Sequence, residues 1–313
     1  MRSMEKTLAP RCKRRIKWKE EVQGWLCIMP VVLGILIFTL IPIVYAFITS
    51  FFRTTLKPFS WSDWGTFVGL KNYTQNFTVA SYSRDFWQAM KVTFVYALIN
   101  IPLQMVLGFL LALLLNREIR GMKAIRALFY LPCLIPAVCN GLLWNQLTNP
   151  NWGVINSLLG KVGIPGWSWF NKASSSMPAL IVVMLFQLGG SMILWLAQLK
   201  NIPRAYYESA EIDGASKLRQ LFVITVPMCT PMILYNLMMS LIGTLQTYDM
   251  IATLVDNGGV NNSLLFYVVY IYGQRMGNFG YASALSFILF FITAAISIVV
   301  MKTSKWVYYP EEG

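Results

Sequence analysis

The stretch Val22–Phe52, VQGWLCIMPVVLGILIFTLIPIVYAFITSFF, contains no Asp, Glu, Lys or Arg. A helix needs about 20 apolar residues to cross the roughly 30 Å hydrocarbon core of a bilayer, where backbone polar groups must be paired within the protein. Five further charge-free runs are long enough: Val92–Asn116, Ala127–Gly160, Ala173–Leu199, Gln220–Tyr248 and Met276–Met301. The sequence therefore predicts an all-α integral membrane protein with about six transmembrane helices.

The composition agrees with a membrane protein and excludes several kinds of function. Of the 313 residues, 56% are hydrophobic and only 12% are charged, whereas about 25% are charged in an average soluble domain. The chain has no histidine, which excludes Ser/His/Asp and Cys/His nucleophile arrangements and HExxH zinc sites. The net charge of +13 falls between the apolar runs rather than on one polar surface, so nucleic acid is not an expected partner.

Neither a metal site nor a nucleotide site is indicated. The five cysteines have no CxxC pair and no regular spacing. The Gly160-Lys161 pair is followed by Val162 and lacks the earlier glycine of a phosphate-binding loop. We therefore expect no catalytic residue, cofactor or metal in this chain, and any ATP that drives it would be bound by another chain.

Lysine and arginine residues lie mainly in four segments, 1–21, 117–126, 200–219 and 302–305. Basic loops resist translocation, so these segments are predicted to be cytoplasmic, together with both termini. The basic tail could also lie on anionic headgroups as a short amphipathic helix.

The predicted organisation is one transmembrane domain over residues 1–313. It comprises the basic tail 1–21, a six-helix bundle over 22–302 and a cytoplasmic loop over 201–227 within that bundle. A seventh uncharged run, Asn257–Gln274, has a strongly apolar stretch of only nine residues, Leu264–Tyr272. This length suits a short interfacial or re-entrant element better than a span.

The loop 201–227, NIPRAYYESAEIDGASKLRQLFVITVP, has the local chemistry of two short helices. Pro203 suits a first helical turn, Gly214 a left-handed helix end, and Ser216 an N-cap. The second helix is predicted to end before Pro227. Its face toward the bundle is expected to carry Leu218, Leu221, Phe222 and Thr225, leaving the first helix to a partner. An ordinary interfacial loop explains the same residues about as well.

This loop resembles a known family motif. Glu208-Ser209-Ala210, then Gly214, then Ile224-Thr225-Val226-Pro227 is similar to the EAA loop of the membrane-spanning subunits of bacterial ABC importers. The fuller pattern Glu208 to Ala215 resembles the carbohydrate branch, the relatives of the maltose and glycerol-3-phosphate permeases. Ser209 replaces an alanine of the motif and Val226 a leucine.

Three further stretches resemble the same family. Val68-Gly-Leu-Lys-Asn-Tyr73 is similar to its GLxNY element. Tyr248-Asp249 followed by Asn257-Gly258-Gly259 resembles its FD…GGP stretch, with Val260 in place of proline. Tyr281-Ala-Ser-Ala-Leu-Ser286 matches the start of its last span. The resemblance covers residues 25 to 300 and implies a type I importer fold in a bacterial inner membrane.

The resemblance also implies partners. In these importers the EAA loop forms a coupling helix that docks on a separate ATPase, to which ATP and Mg bind. The residues carried over for this docking are Glu208, Ser209, Ala210, Asp213 and Gly214. A second homologous permease subunit, two ATPase subunits, an extracytoplasmic solute-binding protein, membrane lipid and a carbohydrate substrate are implied as partners. The chain itself would then be no enzyme.

A polar stripe follows the loop. Asn236, Ser240, Gly243 and Thr247 are spaced by steps of 4, 3 and 4, with Thr244 beside them, so they share one helix face. Close helix–helix packing explains such small and hydroxyl residues at least as well as a solute path. The resemblance favours a path, because sugar contacts in maltose-type permeases lie just before and after the loop. It points to Phe186, Gln187 and Gly190 before the loop, and to Ser240, Gly243, Thr244 and Thr247 after it.

Two other polar pairs, Asn100 with Gln104 and Asn140 with Trp144, are expected to make interhelical hydrogen bonds. Trp144 and Trp195 are also candidates for stacking on a sugar ring, although most of the tryptophans should lie at the membrane interfaces.

The main alternative is a stand-alone secondary carrier for a polar neutral solute. Such carriers usually show internal repeats or buried ionisable residues, and neither is visible in this sequence. A membrane-embedded enzyme is disfavoured, because Asp249 has no aspartate partner in another apolar run.

Overall fold

A computed structural model describes residues 18–55, 65–117, 119–255, 258–275 and 277–307, with side chains from residue 22 onward. Most of the basic tail lies outside these residues, so its predicted surface role stays a prediction. The chain divides into two compact units, residues 1–48 and 49–313. The first unit contains one helical run, which begins at Trp18.

The described residues are almost entirely helical. The helices are α1 (Trp18–Ile35), α2 (Ile41–Thr49), α3 (Lys71–Thr78), α4 (Ala80–Leu115), α5 (Met122–Tyr130), α6 (Ala137–Leu147), α7 (Val154–Lys161), α8 (Ala173–Leu185), α9 (Gly189–Asn201), α10 (Arg204–Ile212), α11 (Lys217–Gln220), α12 (Val226–Met228), α13 (Thr230–Leu245), α14 (Asp249–Leu254), α15 (Tyr267–Gln274) and α16 (Phe279–Lys302). Two-residue strands β1 (Phe52–Arg53) and β2 (Thr66–Phe67) pair antiparallel, a local exception to the predicted all-α fold.

Three continuous helical stretches are long and apolar enough to cross a membrane: Val22–Thr49, α4, and α16 extended to Trp306. Three further apolar pairs are bent: Met122–Leu134 with α6 by 96°, α8 with α9 by 45°, and Lys217–Met228 with α13 by 64°. If each bent pair crosses as one span, the described residues contain six spans, which is the number predicted.

Proline breaks some of these helices but not others. At Pro136 the chain turns sharply, because the residue before a proline avoids the helical region and Ile135 has an extended ψ of 124°. Pro231 lies in the first turn of α13, just after a break at Cys229. Pro102 lies inside α4, which continues through it unbroken.

Two wide turns precede the prolines at positions 42 and 227. The π-helical turns Leu36–Leu40 and Leu221–Thr225 are each followed by one residue and then proline. A proline lacks the N–H that an α-helix would use and clashes with the carbonyl four residues earlier, and a wider turn relieves both problems. The prediction that the second loop helix ends before Pro227 is therefore wrong, because the chain stays helical to Met228.

The segment predicted as interfacial or re-entrant contributes to the packed interior. In α15, an eight-residue helix of about 12 Å, Tyr267, Tyr270 and Ile271 are buried. It packs against α4 and α16. Residues 256 and 257 lie outside the described part of the chain, so the start of this segment is not described.

The motif residues after α2 hold the end of that helix. The side-chain amide of Asn72 donates hydrogen bonds to the carbonyls of Ser50 at 2.8 Å and Phe52 at 2.9 Å. The Tyr73 hydroxyl lies 2.7 Å from the Ser50 hydroxyl. The GLxNY element therefore secures the turn between the first span and α3.

The motif that opens α16 meets the same region. The Thr49 hydroxyl donates to Ser283 at 3.4 Å, and the Tyr281 hydroxyl donates to the side-chain oxygen of Asn76. Tyr270 and Tyr281 are joined by a hydrogen bond of 2.9 Å between their hydroxyls. The α16 motif thus forms a buried polar cluster with Thr49 and Asn76, residues near the GLxNY element and about 200 residues earlier in the sequence.

Gly280 makes this close approach possible. A Cβ atom at Gly280 would lie 1.9 Å from the Phe52 carbonyl oxygen and 2.8 Å from that of Thr49. Gly280→Ala is expected to destabilise the protein by about 1–3 kcal/mol, because the backbone of the neighbouring turn has to move. Thermal unfolding of the full chain in detergent measures this as a lower Tm.

Gly273→Ala is the matched control, because a Cβ atom there would meet nothing within 4 Å. Its Tm should equal or slightly exceed that of the unaltered chain. Equal Tm values for the two variants would contradict the packing described for Gly280.

Candidate coupling loop and translocation path

The loop 201–227 folds as a helix, a sharp turn and a helix, as the sequence predicted. Helix α10 ends at Ile212, and Gly214, two residues later, has a φ of +72°. The Ala215 N–H donates to the Ala210 carbonyl at 2.8 Å, and the Gly214 N–H donates to the Glu211 carbonyl at 3.1 Å. This pair of bonds is a Schellman C-cap, which requires a left-handed residue that glycine adopts without steric cost.

The start of the second helix is fixed by Ser216. Its hydroxyl oxygen accepts a hydrogen bond from the Arg219 N–H at 3.3 Å. Across the turn, the Lys217 ammonium forms a salt bridge with Glu211. This contact lowers the pKa of the Glu211 carboxyl below its ordinary value. Both side chains are exposed, so the pair is expected to add little stability.

Tyr207 and Gln220 connect parts of the loop to one another, and sequence reasoning missed both. The Tyr207 hydroxyl lies 2.9 Å from the hydroxyl of the buried Thr225. Gln220 is also buried, and its amide donates to the Ala215 carbonyl at 3.1 Å. Tyr207 packs on an apolar cluster that includes Leu199 and Ile202. The sequence did contain one indication of the role of Tyr207. It lies three residues before Ala210, so the two residues share the less polar face of α10.

The opposite face of α10 is exposed in the described part of the chain. Glu208, Ser209, Asp213 and Gly214 are exposed, and Ala210 is half-buried. Ile212 is 87% exposed, although it is a large apolar residue. This acidic face with one apolar side chain is a surface that a partner could cover.

The predicted inward face of the second helix is partly wrong. Thr225 is buried and Leu221 is half-buried, but Leu218 is 71% and Phe222 is 68% exposed. The prediction assumed 3.6 residues per turn, whereas the π-helical turn Leu221–Thr225 needs more residues per turn and rotates the faces. The buried positions here are Gln220 and Thr225.

The path residues proposed before the loop lie at the break between α8 and α9. The Phe186 ring packs against Trp144 with centroids 4.9 Å apart. The Gln187 carbonyl accepts a hydrogen bond from the Cys133 thiol at 3.2 Å. Gly190 is half-buried beside the same thiol. These three residues therefore surround a gap in helical hydrogen bonding.

The polar stripe after the loop is divided between two environments. Asn236 and Thr244 are buried within the chain, and the Asn236 amide donates back to the Met232 carbonyl at 3.0 Å. Ser240 and Thr247 are half-buried, and Gly243 is exposed with open space where a Cβ atom would be. Packing within the chain thus accounts for Asn236 and Thr244. Of the stripe residues, only Ser240, Gly243 and Thr247 remain accessible to a solute or a partner.

Both sets of path residues connect directly to the loop, since α9 leads into α10 and α11 leads through α12 into α13.

The two tryptophans suggested for stacking are buried. Trp195 is 1% exposed and packs on Phe109, with centroids 5.2 Å apart, so it is a core residue. Within the described ranges, no group of three Cys, Asp or Glu side chains could hold a metal ion.

Comparison with known proteins gives concordant results. The profile described as "Binding-protein-dependent transport system inner membrane component" matches residues 104–307. The chain is 36% identical to the probable ABC transporter permease protein YesP of Bacillus subtilis, over 95% of each chain. It is 28% identical to the trehalose/maltose transport system permease protein MalF of Thermococcus litoralis, over 93% of this chain and 97% of that one.

A solved structure has the same fold. A bacterial ABC transporter involved in the import of the acidic polysaccharide alginate superposes with a TM-score of 0.76 at 21% sequence identity, covering 93% of this chain and 99% of that one. The family resemblance drawn from the loop motif is confirmed, and the protein is a membrane protein of the predicted fold. The chain belongs to the family of inner membrane components of binding-protein-dependent transport systems.

Proposed function

We propose that this chain is a permease subunit of an ATP-driven importer, and that it forms half of the translocation path for a mono-, di- or oligosaccharide. The observation that carries the proposal is the family match together with the exposed acidic face of α10. The carbohydrate class is supported by the similarity to the trehalose/maltose permease along nearly the whole chain.

ATP hydrolysis is assigned to a separate ATPase, two copies of which would dock on this chain and on a second homologous permease. An extracytoplasmic solute-binding protein would deliver the saccharide. The chain would lie in a bacterial inner membrane with both termini in the cytoplasm, in agreement with the distribution of its basic residues. In this arrangement α10 faces the cytoplasm and serves as the coupling helix.

The contacts of α10 indicate how ATPase closure would reach the path. The Schellman turn makes α10 and α11 one stiff unit, and the hydrogen bond between Tyr207 and Thr225 ties α10 to the wide turn before α12. A displacement of α10 would therefore move the beginning of the α12–α13 pair. Ser240, Gly243 and Thr247 lie on α13 or just beyond it, so they would move with this pair.

The stand-alone carrier is distinguished from the importer by purification. An importer subunit should co-purify with an ATPase and a second permease, and should take up no saccharide by itself in liposomes. Uptake by this chain alone would favour the carrier.

Glu208→Gln is expected to weaken ATPase docking roughly tenfold or more, because a charge-assisted contact to the partner is lost. The chain should still insert, since Glu208 is exposed. Co-purification of the ATPase and saccharide uptake in membrane vesicles measure the effect. Asp85→Asn, which removes a carboxylate paired with Arg84 outside the loop, is the charge-matched control and should change neither. Unchanged uptake in Glu208→Gln would remove this residue from the coupling contact.

Ile212→Ser is expected to reduce ATPase co-purification by about tenfold, because burying an isoleucine side chain against a partner contributes about 1.5–3 kcal/mol. Ile119, which is 59% exposed in another predicted cytoplasmic segment, provides the control Ile119→Ser. Both variants should have the Tm of the unaltered chain. Equal losses of ATPase in both variants, or none in either, would show that Ile212 does not anchor the partner.

A further inference from the structure

A cavity of about 610 Å³ lies between the end of α13, α14, α15 and α16. Its walls carry several polar side chains, none of which belongs to the coupling loop or to the predicted path. These are Gln246, Tyr248, Asp249, Tyr272, Ser286, Thr293 and Ser297. The apolar part of the wall includes Leu289, Phe290 and Ala294.

A second groove of similar volume shows what a lipid-compatible surface of this chain looks like. It measures about 630 Å³ and is lined only by Leu, Phe, Pro and Gly residues of α4, α5, α8 and α9 and their connections. One of these residues, Phe186, is a predicted path residue, and it contributes an apolar ring to this groove. Polar side chains in contact with hydrocarbon are costly, whereas this leucine-rich groove is not. The polar cavity is therefore expected to face water, a solute or another protein rather than lipid.

Thr293 has unused hydrogen-bonding capacity at this cavity. The residue is 7% exposed, and its hydroxyl has no hydrogen-bond partner within the described part of the chain. Other threonine hydroxyls bond to a carbonyl one turn earlier, as Thr247 does to Gly243 at 3.1 Å. A buried hydroxyl without a partner is unfavourable. Because its oxygen is covered in this conformation, the side chain has to turn toward the cavity before a ligand or water there can satisfy it.

The hydroxyls of α16 form a row along the cavity. Ser286, Thr293 and Ser297 are spaced by steps of 7 and 4, which places them on one helix face. Gln246 and Asp249 supply an amide and a carboxylate from the other side of the cavity. The wall thus offers both donors and acceptors at several points, which is what a molecule with many hydroxyl groups requires.

Aromatic rings lie at one end of the cavity. Tyr248 and Tyr272 stack with centroids 4.0 Å apart and an angle of 15° between their planes. The Arg275 guanidinium lies 4.7 Å from the Tyr272 centroid. This stack fixes the two tyrosines, so their edges and hydroxyl groups are what a ligand would contact.

We propose that this cavity is a saccharide-binding subsite of the chain, with Gln246, Asp249 and the α16 hydroxyls as its hydrogen-bonding groups. The proposal rests on the proposed carbohydrate function and adds a second contact area, distinct from the residues around the break between α8 and α9. The acidic Asp249 and the hydroxyl row suit an uncharged sugar unit.

Neighbouring alanines on α16 provide a sharp test. Ala294 lines the cavity, whereas Ala295 is exposed and does not line it. Ala294→Cys and Ala295→Cys are made in a full chain whose five native cysteines are replaced by serine. Membranes containing each variant are treated with a glucosyl methanethiosulfonate and, separately, with a hexyl methanethiosulfonate, and the rate of thiol modification is measured.

The ratio of the glucosyl rate to the hexyl rate should be at least about tenfold higher at position 294 than at 295, because a sugar group is excluded from hydrocarbon. Equal ratios, or a higher ratio at 295, would overturn the proposal and identify the cavity as a lipid or protein contact. The result does not depend on ATPase binding, so failure of the importer function would appear separately, as loss of co-purifying subunits.

Uptake by the assembled importer gives a second measurement. Gln246→Leu should raise the KM for saccharide uptake by about 2–10-fold, with ATPase co-purification unchanged, because one hydrogen bond to the sugar is lost. Thr293→Val, which removes the buried hydroxyl but keeps the shape of the side chain, should raise the KM in the same direction. Glu208→Gln should instead lower the maximal rate. Unchanged KM in both cavity variants would exclude the cavity from saccharide binding.

Discussion

Every backbone polar group within the hydrocarbon core of a membrane must find its partner within the protein, and several irregular points of the structure show how such partners are supplied. At the break between α8 and α9 the Cys133 thiol donates to the Gln187 carbonyl. At the end of α4 the Arg126 guanidinium donates to the Leu115 carbonyl at 2.7 and 3.0 Å. The wide turns before the prolines at 42 and 227 keep the chain helical at positions where proline would otherwise interrupt the backbone hydrogen bonds of the helix.

The same constraint explains why distant sequence motifs meet. The turn after α2 leaves the carbonyls of Ser50 and Phe52 outside a helix, and the Asn72 amide satisfies both. Gly280 then lets α16 approach this turn closely enough for Thr49 to bond Ser283. Thr49 and the start of α16 are thereby fixed to each other, while one face of α10 at the coupling loop is exposed.

Features with a local cause were predictable from sequence. Charge-free length predicted the six spans, and Gly214 with Ser216 predicted the turn of the loop. Whether a proline bends a helix depends on the packing around it. The sequence therefore did not show that the chain bends at Pro136 and continues as a helix through Pro102. The predicted inward face of the second loop helix was partly wrong, because the wide turn Leu221–Thr225 has more residues per turn than an α-helix. Tyr207 and Gln220 were missed because their roles depend on how the loop folds back on itself. The α16 hydroxyls were missed because the cavity that they line is formed by several helices, which periodicity within one helix does not report.

The break at Phe186–Leu188 has a consequence for variation among related chains. One hydrogen-bond acceptor there is a main-chain carbonyl, that of Gln187, which accepts a hydrogen bond from the Cys133 thiol. Such acceptors survive any substitution that preserves the path of the backbone. Two homologues with different residues at these positions would then present the same main-chain acceptor, which a residue-by-residue comparison of their sequences does not show.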